Sequence, residues 1–272
     1  MALRCVYTDL DGTLLGAGGS IFRDADGDFT LLPARALEAC YRAGVEVVIM
    51  SGRREASVMA DARMIGQSSY IYEAGCGVHI DGEDTLLIGR WAEGDGTPAE
   101  RMVAAGIPDL LFEAFPGRLE WHGPWHAERR YSHLMRGKVD VAEANRLLAE
   151  HGHEDLRFLD NGAITHRMEG IEGYAHAYHV VPGDASKANA VAFHARARGY
   201  AREECIAIGD SLEDLDAAAC VGRFFVVANG PERDDALRAA LPRFANATVT
   251  EGRMGEGFYE AVISSLAGAR GA

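Results

Sequence analysis

Four short apolar runs each break off into small polar residues, and this pattern constrains the fold of the 272-residue chain more than any other feature. Arg4-Cys5-Val6-Tyr7-Thr8 runs into Asp9-Leu10-Asp11-Gly12-Thr13, and Val45 to Met50 runs into Ser51-Gly52-Arg53. Downstream, Cys205 to Ile208 ends at Gly209-Asp210-Ser211, and Phe224 to Val227 ends at Ala228-Asn229-Gly230. Unbroken apolar runs of this length fit strands buried on both faces. Helical segments lie between them: Pro33 opens one with apolar positions at Ala36, Leu37, Cys40 and Tyr41, Gly44 closes it, and another begins near Glu55. Strands alternating with helices predict a parallel sheet, and ligands bind such sheets beyond the carboxyl ends of the strands. Four polar strand ends therefore predict one site.

Between about Gly77 and Pro182 the rhythm changes. A hairpin pattern, Val78-His79-Ile80 and Leu86-Leu87-Ile88 around Asp81-Gly82-Glu83-Asp84, leads into mixed helices and strands rich in histidine and aromatics. Expected elements are a helix near Pro98 to Phe115, strands near Arg118–Trp121 and Arg130–Arg136, a helix near Val141–His151, and strands near Leu156–Leu159 and Ile164–Met168. The reading is a second unit, residues 77–182, inserted into a core of residues 1–76 and 183–272.

No stretch approaches the roughly 20 apolar residues that a spanning helix needs, and the strand beginning at Arg4 leaves no room for a secretory signal. A cytoplasmic protein without a membrane partner is expected. The five cysteines are scattered, with no CxxC pair, which argues against a disulfide framework or a zinc site. A net charge of −14 disfavours nucleic acid as a partner, because such binding needs a basic surface. The same charge repels phosphate esters, so local cations must hold one.

Phosphate-ester hydrolysis needs a nucleophile, a proton donor for the leaving oxygen, and positive charge around the transferred group. Asp9 and Asp11 flank one residue at a strand end, so one can attack while the other handles protons. Mg²⁺, which takes oxygen ligands, would draw on Asp9, the carbonyl of Asp11, and Asp210. Taken alone, an Asp-x-Asp pair is ordinary turn chemistry, Ser51 a helix N-cap and Lys187 a solvated lysine. Their order along the chain is what gives them weight.

Four segments in order, Asp9-Leu10-Asp11-Gly12-Thr13, Ser51-Gly52-Arg53, Lys187 opening a helix, and Gly209-Asp210-Ser211-Leu212-Glu213-Asp214, resemble the haloacid dehalogenase-like phosphatases. An insertion between the second and third segments resembles the C2-cap, type IIB branch, which includes the Cof-like, sucrose-phosphate and mannosylphosphoglycerate phosphatases. The resemblance implies an α/β fold, a Rossmann-like parallel-sheet core with an α+β C2-type cap. It implies that Asp9 forms an aspartyl-phosphate while Asp11 protonates the leaving group and then activates water. Ser51, the Gly52 amide, Arg53 and Lys187 would hold the phosphoryl group; Asp9, Asp11, Asp210 and, from the edge, Asp214 would hold Mg²⁺. Glu213 stands where many members have Asn, and Glu73-Ala74-Gly75 replaces the more usual Glu-Asn-Gly.

The expected function is Mg²⁺-dependent hydrolysis of a small phosphorylated metabolite, with a sugar phosphate or phosphorylated sugar acid favoured by the resemblance alone. A phosphomutase shares Asp9 and Asp11, and a noncatalytic phospho-ligand sensor is the alternative outside enzymes. The insert also carries His122, His126, Arg129, Arg130, His133, Arg136, His166 and Arg167, which we read first as ordinary exposed residues, with either Arg130 or Arg136 able to reach an anion. Asp81 to Asp84 lacks EF-hand spacing and reads as a hairpin turn, and no dinucleotide fingerprint follows Gly75 and Gly77.

Overall fold

Alternation along the first strand divides the protein's main core in two. In the computed structural model, which describes residues 2–164 and 168–270, all four residues of β1 (Cys5–Thr8) are buried. Cys5 and Tyr7 pack into one apolar cluster and Val6 into another on the opposite face. The same period-two division runs through β2 (Glu46–Met50) and β10 (Cys205–Gly209), where Val48, Met50 and Ala207 face one way and Val47, Ile49 and Ile208 the other. A strand with two buried faces needs a cover on each side, and helices supply it.

These strands belong to an eight-stranded sheet of order β12-β11-β10-β1-β2-β3-β4-β5. Its other members are β3 (Tyr70–Tyr72), β4 (Gly77–Ile80), β5 (Glu83–Leu86), β11 (Arg223–Val226) and β12 (Ala247–Val249). Every pairing from β12 to β3 is parallel; β3–β4 and β4–β5 are antiparallel. The fold is thus α/β with a Rossmann-like sheet. Residues 77–86, expected in the insert, instead form the edge of this main sheet. The rhythm change at Gly77 marks a reversal of strand direction: Glu73 and Ala74 adopt left-handed backbone angles, and β4 returns antiparallel to β3. Ala74 sits at φ 56°, a conformation that Asn tolerates better than Ala, which accounts for the usual Asn at this place in the resemblance.

Residues after β5 build a second, four-stranded antiparallel sheet of order β6-β7-β9-β8: β6 (Leu119–Trp121), β7 (His133–Gly137), β8 (Leu156–Ile164) and β9 (Ala175–Pro182). Helices Ile107–Ala114 and Val141–Glu150 cover one face through Ile107, Leu111, Ala144 and Leu148, packed on Met135, Phe158 and Val180. The single helix expected from Pro98 to Phe115 is broken, because Gly106 turns left-handed and Pro108 starts a new helix. The strand expected near Arg130–Arg136 begins only at His133, so Arg130 precedes it and does not share a strand face with Arg136. The strand expected near Leu156–Leu159 continues through a bulge to Ile164, the one expected at Ile164–Met168 falls largely outside the described residues, and β9, unforeseen, lies between β7 and β8. Among the described residues no helix is long and apolar enough to cross a membrane.

Candidate active site

Parallel pairing brings three of the signature segments to one edge. Thr8 is level with Ile208 on one side and Ile49 on the other, so Asp9, Ser51 and Asp210 leave neighbouring strands within a residue of each other. The Asp9 amide still donates to the Ile208 carbonyl at 3.0 Å, which holds the first segment against the fourth. Gly12 then turns back with φ 85°, and a Cβ there would lie 2.3 Å from Asp210 Oδ2. That approach is open only to glycine. Asn229 Nδ2 fixes the same junction, donating to the Gly12 carbonyl at 2.9 Å and to Asp210 Oδ2 at 3.3 Å.

Lys187 enters from behind. Its helix, Lys187–Arg198, is N-capped by Ser186, whose hydroxyl accepts from the Asn189 amide. The side chain is fully buried, and its Nζ donates to Asp9 Oδ1 at 2.9 Å and Asp214 Oδ1 at 2.7 Å, with Glu213 Oε2 at 3.4 Å. Burial by itself disfavours an ammonium, yet Asp214, Asp9 and Glu213 outweigh it and keep Lys187 charged. Asp214 is held in turn by the Asp210 and Ser211 amides and the Ser211 hydroxyl on its Oδ2.

One oxygen from each of Asp9, Asp210 and Asp214 lies within 4.8 Å of the others. With Glu213 these make four buried or nearly buried carboxylates around one ammonium. The charge excess shows in the acids: burial, with Asp214 and Asp11 adding to it against the pull of Lys187, pushes Asp9 up to about 7. Burial followed by Asp9 and Asp214 raises Asp210 well above the usual carboxylate range. An all-oxygen, over-anionic cluster suits a hard divalent cation, and these residues fit one.

Ser51 is buried, and its hydroxyl accepts from the Arg53 amide at 3.2 Å. It does not cap the following helix, which starts at Glu55 with Arg54 as its N-cap residue. Arg53, expected to grip phosphate, spends its guanidinium on carboxylates: Asp11 at 2.7 and 2.6 Å and Asp61 at 2.9 Å. The Asp11 side chain is 58% exposed and its carboxylate is not among the three that lie within 4.8 Å of one another.

The second sheet lies over this edge. At the bulge between Asp160 and Ala163, Gly162 packs on Ser211, a Cβ there falling 3.1 Å from that of Ser211. Asn161 Nδ2 and His179 Nε2 both approach Gly52, at 3.3 and 2.5 Å from where its Cβ would stand. Arg129 Nη1 donates to the Gly52 carbonyl at 2.9 Å, and Glu73, buried, accepts from the Arg130 and Tyr131 amides and the Ser132 hydroxyl. The rest of the insert's cationic set is dispersed. His133 Nε2 donates to the Ala99 carbonyl, His126 stacks on Trp121, Arg130 leans over Tyr131, and Arg136 pairs with Glu120. His122 acts electrostatically on His179. His166 and Arg167 lie outside the described residues. Glu213, Asn229, Asn161 and His179 were given no role from sequence; Glu213 was visible as a departure from Asn and Asn229 as part of a polar strand end, while Asn161 and His179 carried no signal beyond residue type.

A family model for haloacid dehalogenase-like hydrolases matches residues 143–237. The phosphoglycolate phosphatase of Archaeoglobus fulgidus is 28% identical over 262 residues, covering 95% of each chain. That of Halorubrum lacusprofundi is 29% identical over 238 residues, covering 85% of this chain and 86% of the relative. Over residues 143–237 the chain matches the haloacid dehalogenase-like hydrolases, the family its four segments resemble. It is an enzyme of the family's phosphatase kind, as the four segments imply. Solved family structures share its fold: sucrose-phosphatase from Synechocystis superposes with a TM-score of 0.67 at 14% identity, covering 97% of this chain and 98% of that one. A Bacillus subtilis haloacid dehalogenase-like hydrolase does so with a TM-score of 0.60 at 17% identity, covering 96% and 99%. In this chain the acidic cluster and the buried lysine occupy the carboxyl edge of the parallel sheet, where the strand topology directs them.

Proposed function

We propose that this chain is a Mg²⁺-dependent phosphomonoesterase that acts through an aspartyl-phosphate on a short phosphorylated hydroxy acid. The observation that carries the reading is the convergence of Asp9, Asp210 and Asp214 around buried Lys187, beside Ser51 and Gly52. The substrate class rests on the full-length relatives, all named phosphoglycolate phosphatases, which we prefer to the sugar phosphates suggested by the sequence. The likeness to sucrose-phosphatase is one of fold and adds no weight to a sugar.

In this reading Asp9 attacks phosphorus and the P–O bond to the leaving group breaks, with Asp11 giving its proton to the departing oxygen. Asp11 then takes a proton from water, which attacks phosphorus and releases phosphate and free Asp9. Ser51, the Gly52 amide and Lys187 hold the phosphoryl oxygens. Mg²⁺ held by Asp9, the Asp11 carbonyl and Asp210, with Asp214 behind them, would neutralise phosphoryl charge. Asp11 must leave the Arg53 clamp to do this work, which makes Arg53 a positioning residue in our reading. We divide the chain into a core and a cap of residues 87–182, the cap excluding water and choosing the leaving group. A cytoplasmic enzyme free of nucleic-acid partners fits the charge of −14.

The test is release of inorganic phosphate from an aryl phosphate and from 2-phosphoglycolate, with Mg²⁺ and with chelator, for wild type and Asp9→Asn. We expect turnover that needs the metal and falls by at least about 10³-fold in the variant. Activity that survives Asp9→Asn removes the nucleophile; a strict need for a bisphosphate activator shifts the reading to a phosphomutase. No turnover on any ester leaves a sensor.

A further inference from the structure

We infer that His179 and Asn161 are the specificity residues that read the carboxylate of the leaving group, a role that rests on the phosphatase reading above. Both project from the second sheet onto Gly52, the residue whose amide is placed to hold the phosphoryl group. His179 Nε2 and Asn161 Nδ2 stand so near Gly52 Cα that a Cβ there would lie 2.5 and 3.3 Å from them. A leaving group attached to a phosphoryl held at that amide extends toward these atoms, and a two-carbon arm is long enough to meet them.

Both residues carry unmet polar capacity. His179 is 1% exposed, and its Nδ1 has no hydrogen-bond partner among the described residues; Asn161 Oδ1 is likewise buried and unpartnered. With no protein partner holding a proton on Nδ1, the neutral imidazole can carry its proton on Nε2, the nitrogen that approaches Gly52, and Asn161 presents its Nδ2 donor beside it. The backbone supports the same conclusion. Asn161 sits in the β8 bulge, between Asp160, whose carboxylate accepts from the Gly162 amide, and Gly162, which rests on Ser211. Bulges re-aim side chains, and this one turns Asn161 toward the phosphate loop.

The local field selects the sign of the ligand. Arg129, Lys187 and His122 all act on His179, which burial first and these cations second keep neutral. A neutral imidazole N–H and an amide N–H, flanked by a guanidinium and an ammonium, donate to an anion rather than to a second cation. The anion beyond a phosphoryl group on a short ester is a carboxylate.

The experiment compares kcat/KM for 2-phosphoglycolate with that for ethyl phosphate, which has the same two-carbon arm without the carboxylate, in wild type, His179→Gln and Asn161→Asp. Wild type should prefer 2-phosphoglycolate; Asn161→Asp, which sets a carboxylate against the anion, should lower the ratio of the two constants about 10–100-fold, and His179→Gln, whose amide can still donate near the Nε2 position, should lower it less. An unchanged ratio, or a wild type with no preference for the carboxylate ester, overturns the inference while leaving the phosphatase reading intact. Turnover of neither ester nor an aryl phosphate overturns both. Asn161→Asp is nearly isosteric, so it decides the matter if His179→Gln fails to fold.

Discussion

Lys187 is the residue on which the site balances. It is fully buried and touches Asp9, Asp214 and Glu213. Lys187→Met keeps the volume but strands the carboxylates, and removing one partner of a buried ion pair costs about 3–5 kcal/mol. We expect the variant to lose turnover and to unfold at lower urea concentration in metal-free buffer; a midpoint equal to wild type would contradict the charge balance described here. Asp9, Asp11, Ser51, Lys187 and Asp210 were legible in the sequence because each stands at a strand end or helix start, where topology fixes position. Arg53 was legible as a residue but not as a contact. Its partners, Asp11 and Asp61, lie 42 positions before it and eight after it in the chain, and only folding decides between them and a phosphate.

At the level of elements, the two sheets meet through Glu73. Its carboxylate accepts three hydrogen bonds from residues 130–132, and its own backbone is left-handed at φ 46°. Strain of that kind persists only where surroundings enforce it, and here the enforcing contacts join β3 to the segment leading into β7. Glu73→Gln replaces one acceptor oxygen with an NH₂ facing donors, which should cost about 2–3 kcal/mol. Limited proteolysis should cut residues 122–130 faster in the variant; an unaltered cleavage rate would show that the seam does not depend on this carboxylate. The helices and core strands could be read from period and punctuation. β9 could not, because His176 and His179 interrupt its apolar pattern and its neighbours in the sheet, β7 and β8, both precede it in the chain.

Across the whole molecule, a second buried cluster closes the opposite end of the sheet. Cys5, Glu46 and His194 come together there, but the Glu46 oxygens are taken by Ser69, Arg198 and Tyr200, so the cluster reads as structural. Burial opposes ionisation of Glu46, and His194 at 3.6 Å together with hydrogen bonds from Ser69 and Tyr200 overcomes it to hold the carboxyl at about 2. Because the folded value lies below the ordinary one near 4.5, the cluster stabilises the protein fully above that pH. The contribution is on the order of 3 kcal/mol and disappears as pH falls from there toward about 2. Glu46→Gln should flatten this acid limb in urea titrations between pH 5 and about 3. An acid limb as steep as that of wild type would assign the loss to other carboxylates.

The sequence by itself determined the parallel sheet, the edge at which its ligand binds, and most of the acids and the lysine that gather there. These follow from local rules: apolar period, turn residues, and the direction in which a strand delivers what comes after it. Only the tertiary structure decided that residues 77–86 continue the main sheet, that Arg53 clamps Asp11, and that Asn161 and His179 hang over Gly52. Each of those depends on which distant segment is nearest in space, and no short-range pattern in a chain encodes that distance.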